Sequence, residues 1–151
     1  MVDGGQAVPS EPAIALDIIS QFAAEIPFLK AISASIEKLE RGRCRLSAPW
    51  QDHLVGDTST GILHGGVITT LLDSASGTAV FSVIPRVMQI ATLDLRIDYL
   101  RPAMPNADVF AEADCYRLSK NVAFVRGRAF QDTDREIASS LATFMLESSS
   151  L

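Results

Sequence analysis

Apolar positions first recur with a helical period. Ile14, Ile18, Phe22 and Ile26 fall every four residues in S-E-P-A-I-A-L-D-I-I-S-Q-F-A-A-E-I, which predicts a helix over residues 10–26 that packs on the domain or covers a pocket. Ser10 can cap this helix, Pro12 suits its first turn and Pro27 ends it. Residues 32–39 then alternate in part, Arg41-Gly42 reads as a turn, and residues 43–48 continue to the stop at Pro49, which predicts a pair of strands. Residues 51–63 form a polar stretch read as a loop. From Gly65 or Gly66 to about Val83 the chain is rich in apolar and small residues with Asp73 its one charge, which predicts one long buried helix.

After Pro85 the rhythm is β to the end. Over residues 87–100, Leu93, Leu95, Ile97 and Tyr99 share one predicted face, and Asp94, Arg96 and Asp98 take the other. Residues 107–116, 122–131 and 137–146 follow as strands, separated by LSKN and DTDR turns. Helix, two strands, long helix and four strands make an α+β domain. A single antiparallel sheet of about five to six strands would wrap the one central helix apolar enough to be enclosed. Residues 1–9 read as a disordered N-terminus, 27–147 as the domain proper and 148–151 as a tail.

Bulk properties narrow the function classes. A chain of 151 residues suits one domain. Its net charge of −5 argues against a nucleic-acid groove or an anionic membrane surface, while a local anion site stays open. Cys44 and Cys115 lie far apart in apolar, strand-like text and read as buried reduced thiols. With no signal-peptide pattern, and with Asp73 interrupting the longest apolar run, the expected compartment is the cytoplasm and no membrane span is expected. Two histidines are too few for a zinc site, so no metal and no cofactor are expected; G-x-S-x-G is absent too.

Candidate chemistry concentrates in G-I-L-H-G-G-V-I-T-T-L-L-D-S-A-S-G, residues 61–77. Gly65 and Gly66 stand at the predicted helix start. There, unpaired N–H groups and the dipole suit a carbonyl oxygen that gains negative charge; a plain tight turn is the other reading. Asp73 is the one charged residue between His64 and Arg86, set among Leu71, Leu72, Ala75 and Ala79. A buried carboxylate needs a reason. It is either functional or held by the hydroxyls of Thr69, Thr70 and Ser76. Gly65 and Asp73 are eight residues apart, about 12 Å along one helix. Reacting atoms must approach to about 3–3.5 Å, so both groups can serve one substrate only if two helices meet across a two-fold axis. A homodimer is therefore expected, with a dimer of dimers as the further option.

His-Gly-Gly followed seven residues later by Asp, with A-T-L-D-L-R-I-D-Y-L-R-P-A at residues 91–103, resembles the PaaI-like (phenylacetate-degradation type) hotdog-fold acyl-CoA thioesterases. The resemblance implies the hotdog fold and an acyl-CoA substrate. It implies Gly65 N–H as polariser of the thioester carbonyl, with Gly66 beside it. It implies Asp73 as general base on water or as nucleophile, Thr92 as the group placing the water, and His64 as an orienting residue, although His64 also reads as a simple helix-start histidine. The family's loop Asn is missing: Asp57 and Thr58 stand in its place. An ionised Asp57 cannot donate a hydrogen bond, whereas Thr58 can. Arg101, Lys120, Arg126 and Arg128 are candidates for the coenzyme phosphates, or plain surface charge. Phe22, Phe28 and Leu72 are candidates for the acyl pocket, or plain core. Two other readings stay open: a catalytically silent acyl-CoA-binding hotdog protein, and a hotdog hydratase or dehydratase. The hydratase motif wants Asp five residues before His, whereas Asp57 precedes His64 by seven.

Overall fold

A computed structural model of the chain describes residues 14–86, 88–132 and 135–147. Ser10, Pro12, the N-terminal segment 1–9 and the tail 148–151 lie outside the described residues. Helix α1 (Leu16–Ala24) leads to a short helix α2 (Pro27–Ala31) and then to strands β1 (Ser35–Glu40) and β2 (Arg43–Ala48). A small hairpin, β3 (Val55–Asp57) and β4 (Ile62–Leu63), precedes the long helix α3 (Gly65–Phe81). Strands β5 (Gln89–Tyr99), β6 (Val109–Leu118), β7 (Val122–Phe130) and β8 (Glu136–Glu147) complete the chain.

Six strands form one antiparallel sheet in the order β1-β2-β6-β7-β8-β5, so β1 and β5 are its edges. Helix α3 packs along β2, β6 and β7. The sheet residues beneath it are largely alanines, among them Ala111, Ala123, Ala129 and Ala142, all buried. Small side chains there let Leu71, Leu72 and Val80, all fully buried, sit deep in the curve of the sheet. On the outer face, alternation brings out Arg45, Glu112, Asp114, Arg126 and Arg128, which pair across strands. This is the predicted α+β hotdog arrangement.

Two departures bear on the site. Pro27 does not simply end a helix; as N1 residue it starts α2, and the chain turns there toward β1. The predicted apolar face of α1 is also rotated. Ile19 and Ala23 are buried, while Ile18, Phe22 and Ile26 are 55%, 66% and 36% exposed. The four-residue recurrence found a real apolar stripe. The domain takes only the neighbouring stripe, because its core is already filled by α3.

Candidate active site

Asp73 lies at the middle of α3, half-buried rather than sunk in the core. Thr92 Oγ1 on β5 donates to its Oδ1 at 2.9 Å. The helix hydroxyls do not hold it. Thr69 and Thr70 donate to the carbonyl oxygens of Gly65 and Gly66, at 3.2 and 2.8 Å, and Ser76 Oγ is buried with no partner among the described residues. The carboxylate and Thr92 instead stand on the wall of a cavity of about 220 Å³ between α1, α3, β5 and β8.

A bulge makes the Asp73–Thr92 contact. Thr92 pairs with Phe144 and Asp94 with Thr143, so Leu93 is an extra residue in β5. Strict alternation would put Thr92 on the outer face with Asp94 and Arg96. The bulge turns it to the helix side, in phase with Leu95 and Ile97.

The start of α3 is built by His64. Its backbone is extended, at φ −63° and ψ 134°, and its Nδ1 accepts the N–H of Gly66 at 2.9 Å. A Cβ on Gly66 would lie 2.9 Å from Nδ1, so the cap requires glycine there. The Gly65 N–H has no acceptor among the described residues. Its carbonyl accepts from the Tyr99 hydroxyl at 3.0 Å, and Tyr99 also bonds Thr69 at 2.7 Å. Sequence reading placed Tyr99 on the inward strand face but missed that it braces the helix start.

The remaining candidates are dispersed. Asp57 accepts from Ser59 N at 3.0 Å, Ser59 Oγ at 2.7 Å and Thr60 Oγ1 at 2.8 Å. These bonds, Ser59's first, hold its carboxyl below the usual range, so it is an ionised acceptor closing its own turn. Thr58 is exposed in that turn. Arg101 follows β5, and Lys120 sits in the β6–β7 turn next to the end of β8, with β8 between it and the opposite end of β5; both are exposed. Arg126 is on the outer face, bonded to Asp114 at 2.8 Å and lying over the Tyr116 ring. Arg128 is paired there with Glu112 and stacked on Phe130. A larger cavity of about 580 Å³ opens on this outer face, but the sheet separates it from Asp73. Of the acyl-pocket candidates, Phe22 lines the smaller cavity, Leu72 is core and Phe28 is 62% exposed.

Both cysteines are free and buried. Burial pushes the Cys44 thiol up to about 12 and that of Cys115 up to about 11, so neither is a nucleophile. Among the described residues no cluster of His, Cys, Asp or Glu could hold a metal ion, and no helix is long and apolar enough to cross a membrane.

Comparison with known proteins agrees with the fold. The family profile of the thioesterase superfamily matches residues 60–138, which span the β3–β4 turn, α3, β5, β6 and β7. A Salmonella typhimurium protein named medium/long-chain acyl-CoA thioesterase YigI is 32% identical, covering 87% of this chain and 94% of its own length. A crystal structure from Pseudomonas aeruginosa has 36% identity and a TM-score of 0.76, covering 86% of this chain and 97% of its own. A mutant of the phenylacetic acid degradation protein PaaI from Thermus thermophilus has 26% identity and a TM-score of 0.70, covering 80% and 98%. The chain therefore belongs to the thioesterase superfamily, and the PaaI-like hotdog resemblance carried by His64, Gly65, Gly66 and Asp73 holds.

Proposed function

We propose that the chain hydrolyses acyl-CoA thioesters as a homodimer, with Asp73 of one copy and the Gly65 N–H of the other acting on the same carbonyl. The carrying observation is the Asp73–Thr92 pair at the wall of an otherwise mostly apolar cavity. Thr92 fixes one carboxylate oxygen and leaves the other to take a proton from water, or to attack the carbonyl itself. The Gly65 N–H, free of an acceptor among the described residues, suits the oxyanion that forms as the tetrahedral intermediate builds; the thiolate of coenzyme A then leaves and takes the proton that Asp73 removed from water or, where Asp73 attacks, a proton from solvent, with water then hydrolysing the acyl-Asp73 anhydride. His64 takes up Gly66 N–H and so keeps the helix end in shape for this work. Thr58 is the loop group able to donate a second hydrogen bond, since Asp57 cannot.

The edge of the sheet supports this assembly. The outer edge of β5 is an eleven-residue strand without a neighbour among the described residues, and Leu93 and Tyr99 on it are 57% and 53% exposed. Such an edge invites pairing. Thr92, beside Asp73, and Tyr99, beside Gly65, lie toward opposite ends of this strand. Antiparallel pairing of two β5 strands reverses one against the other, so the Asp73 end of each copy meets the Gly65 end of its twin. Lys120 of one copy and Arg101 of the other then flank the same cleft, as coenzyme phosphates require. Arg126, on the outer face, could reach a coenzyme only between dimers.

The test is thiol release from a panel of acyl- and aryl-CoAs. The wild-type chain should release coenzyme A, and Asp73→Ala should lower kcat about 10²–10⁴-fold. Release that survives Asp73→Ala would remove Asp73 from the site. Binding without release would make the chain a silent acyl-CoA-binding module, and consumption of an enoyl-CoA without thiol release would make it a hydratase.

A further inference from the structure

Gly77 lies one turn beyond Asp73 on α3 and faces the same cavity. A glycine inside a helix is less stable than alanine. Packing does not demand it here: a Cβ on Gly77 would sit 3.6 Å from Phe144 and 3.9 Å from Ile90, ordinary contacts. Gly127 is the contrast, since a Cβ there would meet Ser140 Oγ at 2.7 Å. The missing side chain at 77 therefore holds space open rather than relieving a clash. That space also has apolar lining, from Phe22 of α1, Ile26 before α2, Phe81 and Phe144, beside the polar wall at Asp73 and Thr92. Phe22 and Ile26, with Ile18, are also large apolar side chains that the core leaves exposed.

We propose that this passage is the acyl-chain channel, that straight aliphatic chains are its ligands, and that Gly77 sets the chain length admitted. The inference rests on the thioesterase reading above. The apolar side chains of α1 are then the outer wall of a substrate site and are covered when an acyl chain is bound. The cavity of about 220 Å³ holds about seven water-sized groups at about 30 Å³ each, which suits a chain of medium length.

The experiment uses Gly77→Ala and Gly77→Val in the full chain, assayed on saturated acyl-CoAs from two to fourteen carbons. Both variants should hydrolyse acetyl-CoA within about twofold of wild type, while kcat/KM for dodecanoyl-CoA falls, at least about tenfold for Gly77→Val. The loss should appear mainly in KM. Gly77→Ala should melt above wild type, because it improves the helix while narrowing the channel. Phe22→Ala should weaken only the longer substrates. Calorimetric binding of ethyl- and octyl-CoA thioethers gives a second readout that needs no turnover: Gly77→Val should weaken the octyl thioether alone. An equal loss at every chain length, or an unchanged length profile in a folded variant, would overturn the channel. No turnover by the wild-type chain, with length-dependent thioether binding intact, would overturn hydrolysis and leave the channel standing.

Discussion

Single atoms decide most of the site. Thr92 Oγ1 is the bond that orients Asp73, and a hydrogen bond to a charged group is worth about 1.5–3 kcal/mol. Thr92→Val keeps the shape and removes the donor. It should lower kcat about tenfold or more with little change in KM, as initial rates on one good acyl-CoA would show. Unchanged kcat would leave Thr92 a mere neighbour. At this scale the sequence was partly legible. Asp73 stood out because a carboxylate in an apolar helix is costly, and His64-Gly65-Gly66 because glycines at a helix start free a donor. The division of labour between the two glycines was not legible. It depends on the His64 ring folding back to accept from Gly66, which leaves the N–H of Gly65 as the free one.

Elements were read well in kind and less well in phase. The central helix and the strands that form the main sheet were predicted by their periods. The face of α1 and the side of Thr92 were not. Periodicity finds an apolar stripe but cannot say whether core or ligand covers it, and α1 carries two adjacent stripes. For β5, carrying the alternation of Leu95 and Ile97 back to Thr92 would put it on the wrong face, because one extra residue at Leu93 reverses every side chain before it. Helix α2 and the β3–β4 hairpin are too short for any period to show. The bulge yields its own prediction. Deleting Leu93 removes the extra residue and leaves Thr92 opposite Phe144, on the helix side in regular alternation with Leu95. The product should keep its β-rich circular dichroism and more turnover than Thr92→Val, because Thr92 still reaches Asp73. A loss as large as that of Thr92→Val would show that the kink at Leu93, and not the side Thr92 takes, orients the site.

At the scale of the whole molecule, the proposed reaction requires two copies. Asp73 and Gly65 of one helix are too far apart to share a carbonyl, and the unpaired edge of β5 offers the surface on which two copies can exchange them. The helix-in-sheet layout was legible from element order, and the hotdog family from the His64-Gly65-Gly66 and Asp73 motif; the proposed dimer rests on the spacing of Gly65 and Asp73. Which strands would lie at the edges was not legible, since edges are decided only when the sheet closes. The most direct test deletes each half of the site in a different copy. Gly65→Pro removes the N–H at a helix position that favours proline. The extended backbone of His64 already suits a following proline, and an added Cβ meets Tyr99 at an unstrained 3.5 Å. Gly65→Pro and Asp73→Asn homodimers should each be nearly inactive. A heterodimer purified through two different tags has one site with both groups intact and should regain about half of wild-type turnover. A heterodimer as inactive as its parents would contradict a site shared between subunits.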